Sequence, residues 1–324
     1  MTSAGAHPSD ELVALATLLR QQAYRFITVT PATHGRVLKR PATQAALTLR
    51  DVFGWSKAFS TEQLDAAVIE QMRKAGVLRE DASDGNHGNN GTLRSAVRVS
   101  SIDEQLYFHS AYPTEDADAV FLGPDTYRFL RAAGHALDQI GGDVKRAVDI
   151  GCGAGPGAIM LARRYPQAEV FAVDINDKAL ALTQVNSVLA GTTNLHCRNS
   201  NMLDGLDGQF DLIIANPPYL LDAGERAYRH GGGELGAGLS LKIVEAAIAR
   251  LAPGGTLLLY TGVAIDNGDD PFLKQAGILL EAARLSWKYE EIDPDVFGEE
   301  LDTPAYAGVD RIAAVMLLAR KGGA

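Results

Sequence analysis

The segment AVDIGCGAGPG, residues 147–157, decides the fold. A short apolar run leads into Gly151, Gly153 and Gly155, and the chain beyond reads as a helix. A strand that turns at once into a helix needs a backbone that bends tightly and admits a ligand without a Cβ clash. Working outward, strand candidates stand at 147–151, 170–174, 195–198, 210–215, 255–262, 287–292 and 312–319. Helical stretches such as 177–190 and 239–251 separate the early ones. This alternation predicts an α/β fold: a Rossmann-like, doubly wound, mostly parallel seven-stranded sheet with helices on both faces.

The N-terminal third has a different texture. Leu12, Leu15, Leu18 and Leu19 fall at helical spacing, and a second helix is expected over 43–53. A third is expected from Ser60, capped by a box with Gln63, through Leu64, Val68, Ile69 and Met72 to the breaker Gly76. The polar run DASDGNHGNNGT, 81–92, reads as a loop. Residues 97–100 and 106–109 flank Asp103-Glu104 and predict a hairpin. Three helices and a hairpin suggest a winged-helix-like cap or scaffold over 1–110. Residues 111–140 then form a connecting segment and helix, and 141–324 the cofactor-binding catalytic unit.

Composition sets outer limits. The 324 residues are 46% hydrophobic and 22% charged, which suits a folded protein with real cores. No apolar run reaches the roughly 18–20 residues of a membrane helix, so no membrane partner is expected. MTSAGAHPSDELVALATLLR has no basic start followed by an apolar stretch, so a cytoplasmic setting is expected. Cys152 and Cys197 are too few for a disulfide framework, and no His or Cys spacing predicts a metal site. The formal charge of −10 disfavours a whole-protein nucleic-acid binder. Its one counterweight is the basic run Arg20, Arg25, Arg36, Lys39, Arg40, Arg50 and Lys57, which a solvated face also explains.

Two motifs carry the chemistry. Asp149 lies inside the first strand, and Asp174 ends the second, about 20 residues past the glycines, where an acid can accept from ribose hydroxyls. The fourth strand runs straight into Asn216-Pro217-Pro218-Tyr219. Two prolines stiffen that backbone and remove its N–H donors. The Asn216 side-chain oxygen and the Pro217 carbonyl can accept both hydrogens of a planar nitrogen, and Tyr219 can stack on a flat substrate.

DIGCGAGPG followed by AVDIN resembles the first two motifs of class I S-adenosylmethionine-dependent methyltransferases. The Asn-Pro-Pro-Tyr loop resembles the release-factor glutamine, N6-adenine and N2-guanine N-methyltransferases. The likeness covers about 120–324. It implies S-adenosylmethionine as cofactor, with Asp149, Gly151, Gly153 and Gly155 at its methionine end and Asp174 and Ile175 at its ribose. Asn201 and Met202 would meet its adenine, and Asn216, also expected among the cofactor contacts, would act with Pro217 and Tyr219 at the transferred methyl. Gly123-Pro124-Asp125-Thr126 resembles an element preceding the cofactor fold in the glutamine group, though the same residues would also start a helix. The glycine-rich run 226–238 is expected as a lid. Glu299, Glu300, Asp293 and Asp295 are expected as solvated loop acids. The N-terminal third does not resemble a release-factor-binding helical domain.

The expected function is therefore N-methylation of a planar amine or amide on a small molecule or protein, with a nucleobase as an alternative acceptor. A cyclase reading stands beside it, in which the cofactor's own amine attacks its γ-carbon, giving azetidine-2-carboxylate and methylthioadenosine. A cofactor-sensing DNA-binding regulator is a third reading. A homodimer is an open option.

Overall fold

A computed structural model of the chain describes residues 8–40, 46–81, 92–114, 116–222, 224, 226 and 228–323. It opens with α1 (Pro8–Gln21), α2 (Pro31–Leu38), α3 (Leu49–Phe53) and α4 (Ala66–Lys74). Two antiparallel pairs follow, β1 (Leu78–Glu80) with β2 (Leu93–Ser95), then β3 (Val97–Ile102) with β4 (Gln105–Ser110). The alternating region comprises α5 (Pro124–Ile140), β5 (Arg146–Ile150), α6 (Pro156–Arg164), β6 (Glu169–Asp174), α7 (Asp177–Ala190), β7 (Leu195–Asn199) and β8 (Phe210–Ala215). It closes with α8 (Gly238–Arg250), β9 (Leu251–Asp266), α9 (Pro271–Ala282), β10 (Ser286–Asp293) and β11 (Val309–Arg320).

The expected seven-stranded sheet forms, in the order β10-β11-β9-β8-β5-β6-β7. Only β11 runs antiparallel to its neighbours, β10 and β9. The central strands are buried on both faces, and their side chains divide with the two-residue period of a strand. Val148, Ile150, Ile213, Ala215, Leu257 and Leu259 pack with Ile243, Val244, Phe272 and Leu280 of α8 and α9. The intervening Ala147, Leu212, Ile214, Leu258 and Tyr260 pack with Phe129, Leu137 and Leu161 of α5 and α6. Parallel strands buried this way all end on one rim, which is where an open α/β sheet holds its ligands.

The N-terminal third departs from expectation in several places. The helix expected over 43–53 starts at Leu49, because Thr48 and Asp51 cap it reciprocally, at 2.9 Å and 3.2 Å; residues 41–45 lie outside the described residues. The Ser60–Gln63 box caps only the single turn Thr61–Gln63. Asp65 then restarts the chain as α4 by accepting from Ala67 N at 2.7 Å, so one expected helix is two elements. Helix α2, begun by the Thr30 cap and Pro31, was not expected. The expected 97–109 hairpin is present as β3–β4, yet the pair that follows α4 in the manner of a wing is β1–β2, to which Phe59 adds a bridge at Leu93. Of the loop expected over 81–92, residues 82–91 lie outside the described residues.

Hairpin β3–β4 docks on the alternating region rather than standing apart. The fully buried Asn186 of α7 accepts from Phe108 N at 2.8 Å and donates to Phe108 O at 3.0 Å and Ala154 O at 2.8 Å. One apolar cluster runs from Leu15 and Phe53 through Val99 and Phe108 to Ile159 and Leu182. Asn186→Ala leaves two peptide groups of Phe108 and the Ala154 carbonyl buried without this partner. A loss of about 3 kcal/mol is expected, read as a lowered midpoint in thermal or urea unfolding.

Candidate active site

A cavity of about 400 Å³ opens where β5, β6, β7 and β8 end. Every site residue expected from the sequence borders it except Gly155. At Gly155, with φ 85°, a Cβ would lie 2.6 Å from Thr183 Cγ2, so this glycine lets α6 approach α7. Its assignment to cofactor contact is corrected: packing, not the cavity, requires it.

The two expected acids are held by backbone donors. Asp149 Oδ2 accepts from Ala158 N at 2.8 Å. Asp174 accepts from Gly153 N at 3.0 Å and Asn176 N at 2.9 Å. Burial raises both carboxyls, Asp149 to about 8. Beside them, Ile175 is 60% exposed, an unusual state for a large apolar residue at a strand end. Met202 faces the same cavity with left-handed φ 49°, its carbonyl held by Ser200 Oγ at 2.9 Å. Asn201 reaches only Asp204, at 3.4 Å. Two fixed acids followed by an apolar pair suit a ligand with a cationic end, vicinal hydroxyls and a flat base. S-adenosylmethionine has those parts in that order.

The second motif lies across the cavity. The Asn216 side-chain amide takes no hydrogen-bond partner among the described residues. Tyr219 is fixed: its hydroxyl donates to Asp125, its ring lies over Gly262, and Phe297 meets it edge-on at 5.8 Å and 75°. Asp125 does both things the sequence left open. It lies in the first turn of α5, and its buried carboxylate also reaches into the site.

The glycines of the 226–238 run back the motif. Gly231 N donates to Leu220 O at 2.8 Å, and a Cβ on Gly236, with φ 84°, would lie 2.0 Å from Tyr219 O. Only glycine lets this run press against the motif's backbone. Arg226, Tyr228 and Arg229, at the start of the same run, border the cavity. Glu300 is not a solvated acid: it is buried and pairs with Arg229. The same segment supplies Phe297, left-handed at φ 54°, and Tyr306, whose hydroxyl accepts from Leu221 N at 2.9 Å.

A roof comes from the N-terminal side. Pro31, Tyr112, Pro113 and Thr114 border the cavity. Thr114 O accepts from the Tyr228 hydroxyl at 2.6 Å, and Asp118 O accepts from Asn176 Nδ2 at 2.9 Å. Tyr112 and Phe297 are marked by no periodicity or motif spacing in the sequence.

Residues 134–267 match the family described as "Methyltransferase small domain". The chain is 35% identical over 198 residues to the release factor glutamine methyltransferase of Deinococcus radiodurans, covering 58% of this chain and 66% of that protein. It is 31% identical over 173 residues to the enzyme of the same name from Bordetella pertussis, covering 50% and 63%. To the ribosomal protein uL3 glutamine methyltransferase of Xanthomonas campestris it is 35% identical over 133 residues, covering 38% and 43%. The chain thus spans less than two thirds of the length of these relatives. Over the matched span it carries a class I S-adenosylmethionine-dependent methyltransferase domain.

Two outcomes follow from the geometry. Gly236→Ala should push the Tyr219 backbone aside and lower turnover about a hundredfold, with cofactor affinity retained in calorimetry. Separately, Asp149 at about 8 holds its proton near neutral pH in the free protein. A cationic ligand end beside it favours the carboxylate, so binding near pH 7 should release a proton, and above about pH 9 it should release none. Calorimetry in buffers of different ionisation enthalpy checks this; an observed enthalpy independent of buffer near pH 7 would refute it.

Proposed function

We propose that this protein transfers the methyl group of S-adenosylmethionine to the side-chain amide nitrogen of a glutamine in a protein acceptor. The unpartnered Asn216 amide at the end of β8, followed by two prolines and facing the cavity, is the observation that carries the reading. Its acceptor class is drawn from the names of the relatives, which act on release factors and ribosomal protein uL3.

When bound, the cofactor supplies a sulfonium methyl open to in-line displacement. The chain's own part is largely placement. Asn216 Oδ1 and the Pro217 carbonyl accept the two hydrogens of the amide nitrogen and fix the plane of the group. The nitrogen's electron pair then points out of that plane toward the donor. Orientation of this kind is worth several kcal/mol, on the order of 7–11 in the best cases. No strong base is required at the start, since the nitrogen becomes acidic as the new C–N bond forms and sheds its proton afterwards. The roof at Tyr112–Thr114 and the wall at Phe297 exclude water from the acceptor side.

Residues 1–110 act in this reading as a cap that completes the acceptor pocket, through Pro31 and the hairpin leading to Tyr112. Among the described residues no helix is long and apolar enough to cross a membrane. The two free thiols, Cys152 and Cys197, fit a reducing cytoplasmic setting.

Asn216→Ala should lower turnover about a hundredfold or more with cofactor affinity unchanged. Asp174→Ala should instead weaken cofactor binding about 10- to 100-fold, the worth of a charge-assisted hydrogen bond. Mass spectrometry of a glutamine-containing peptide, with S-adenosylhomocysteine as co-product, reads the first and calorimetry the second. Equal loss of cofactor binding in both variants would overturn the division of roles. Methylthioadenosine released without acceptor would replace methyl transfer by the cyclase chemistry.

A further inference from the structure

Behind the motif lies an ionic cluster, centred on the buried Asp125 and reaching the half-buried Arg128 and Asp293, that methyl transfer, as described, does not use. Asp125 accepts from the Tyr219 hydroxyl on Oδ2, and on Oδ1 from the Tyr260 hydroxyl at 3.2 Å and Arg128 Nη1 at 3.1 Å. Arg128 Nε reaches on to Asp293 Oδ2 at 2.9 Å. Asp293 ends β10, and its Oδ1 accepts from Asp295 N at 3.2 Å, opening the turn that carries Phe297. Tyr219 and Phe297 are the edge-on aromatic pair on the acceptor side.

A carboxylate this deeply buried is costly unless its lone pairs are filled. Here two phenols and a guanidinium fill them. The arrangement is more than the start of α5 requires: Gly123 N already bonds Thr126 Oγ1 there at 3.3 Å, and Asp125 contributes no cap of its own. Tyrosine placed by packing alone would keep freedom about its ring axis and tilt; a hydroxyl anchored on a fixed carboxylate removes the tilt. Phe297, held in a left-handed conformation that costs about 1–3 kcal/mol, needs a comparable restraint at the base of its turn.

We infer that Asp125 is a positioning residue for the acceptor: through the Tyr219 hydroxyl and the Arg128–Asp293 pair it sets both aromatic walls against which the acceptor group lies. The inference rests on the methyl-transfer reading of the cavity. Asp125 acts through Tyr219 and Phe297 and takes no part in the reaction itself.

The test follows Tyr219 directly. 3-Fluorotyrosine is placed at position 219 of the full chain, and its fluorine resonance is recorded with Asp125 intact, as Asp125→Asn and as Asp125→Ala. One narrow line is expected with Asp125. A shifted, exchange-broadened line is expected for Asp125→Ala. Asp125→Asn, which keeps an oxygen for the phenol but cannot also receive Tyr260 and Arg128 as before, should fall between.

Turnover of a glutamine-containing peptide gives the second readout. Asp125→Ala should lower kcat about tenfold, with KM and cofactor affinity little changed, and should cost less in a Tyr219→Phe background, where only the route through Arg128 and Asp293 remains. An unmoved fluorine line in Asp125→Ala, or losses that add in the double variant, would overturn the inference. If the unaltered protein leaves the peptide unmethylated, the proposed acceptor fails instead, and the fluorine line still decides the role of Asp125. If Asp125→Ala does not fold, Asp125→Asn carries the same comparison, and an unmoved line there overturns the inference equally.

Discussion

The hydrogen bond from Gly153 N to Asp174 Oδ2 at 3.0 Å, beside those from Gly151 N and Cys152 N to Val173 O at 2.9 and 3.0 Å, joins the two strand ends on which the site is built. Gly153 belongs to the turn after β5, and Asp174 is the last residue of β6. Parallel pairing has already brought these strands to the same rim, with Ile150 opposite Val173. The bond fixes the turn against the neighbouring strand and orients the acid in the same step. Thr183 Oγ1 then donates to Gly153 O at 2.9 Å, so α7 is tied to the same peptide. Through Asn186, that helix also carries hairpin β3–β4 and, behind it, the N-terminal third. A shift of the glycine turn would therefore be felt in the cofactor end, the helix and the roof together.

The cavity is defined as much by buried charge as by shape. Three carboxylates, Asp149, Asp174 and Asp125, stand around it, and burial raises each of them. Their partners differ. Asp149 and Asp174 are held by backbone N–H groups, and a cationic ligand end beside Asp149 would favour its carboxylate over the protonated form that burial sustains near neutral pH. Asp125 is neutralised within the fold by Arg128. Farther out, Arg226 and Arg229 are matched by Asp222 and Glu300. The charges of Asp125, Arg226 and Arg229 are thus matched within the fold.

The N-terminal third contributes more than a tether. Its apolar core is continuous with that under α6 and α7, and Pro31, Tyr112, Pro113 and Thr114 complete one side of the cavity. Peptide contacts from Tyr228 and Asn176 pin the segment after β4 on both the acceptor and the cofactor sides.

Local rules were enough for much of this. Helix α7 lies at the expected 177–190, because an Asn176 cap and a Gly191 stop bound a run of good helix formers. All seven strands of the sheet lie where apolar runs between turn residues put them, and Asp149, Asp174, Ile175, Met202 and Asn216 face the cavity because strand ends and turns of this kind leave little freedom. The sequence failed where caps competed, as at Ser60 and Asp65, and at α2, whose Thr30 cap was not read. It also could not reveal that Gly236 presses on Tyr219, that Gly155 serves Thr183, or that Glu300 is buried against Arg229. Those outcomes depend on residues tens of positions apart meeting across the rim. The sequence by itself determined the sheet, its turns and the acids Asp149 and Asp174 at the strand ends, since short-range backbone and periodicity constraints act within a few residues. Only the tertiary structure decided that Asp125 meets Tyr219 and that Tyr112 and Phe297 border the same cavity, because those contacts join segments that no local pattern links.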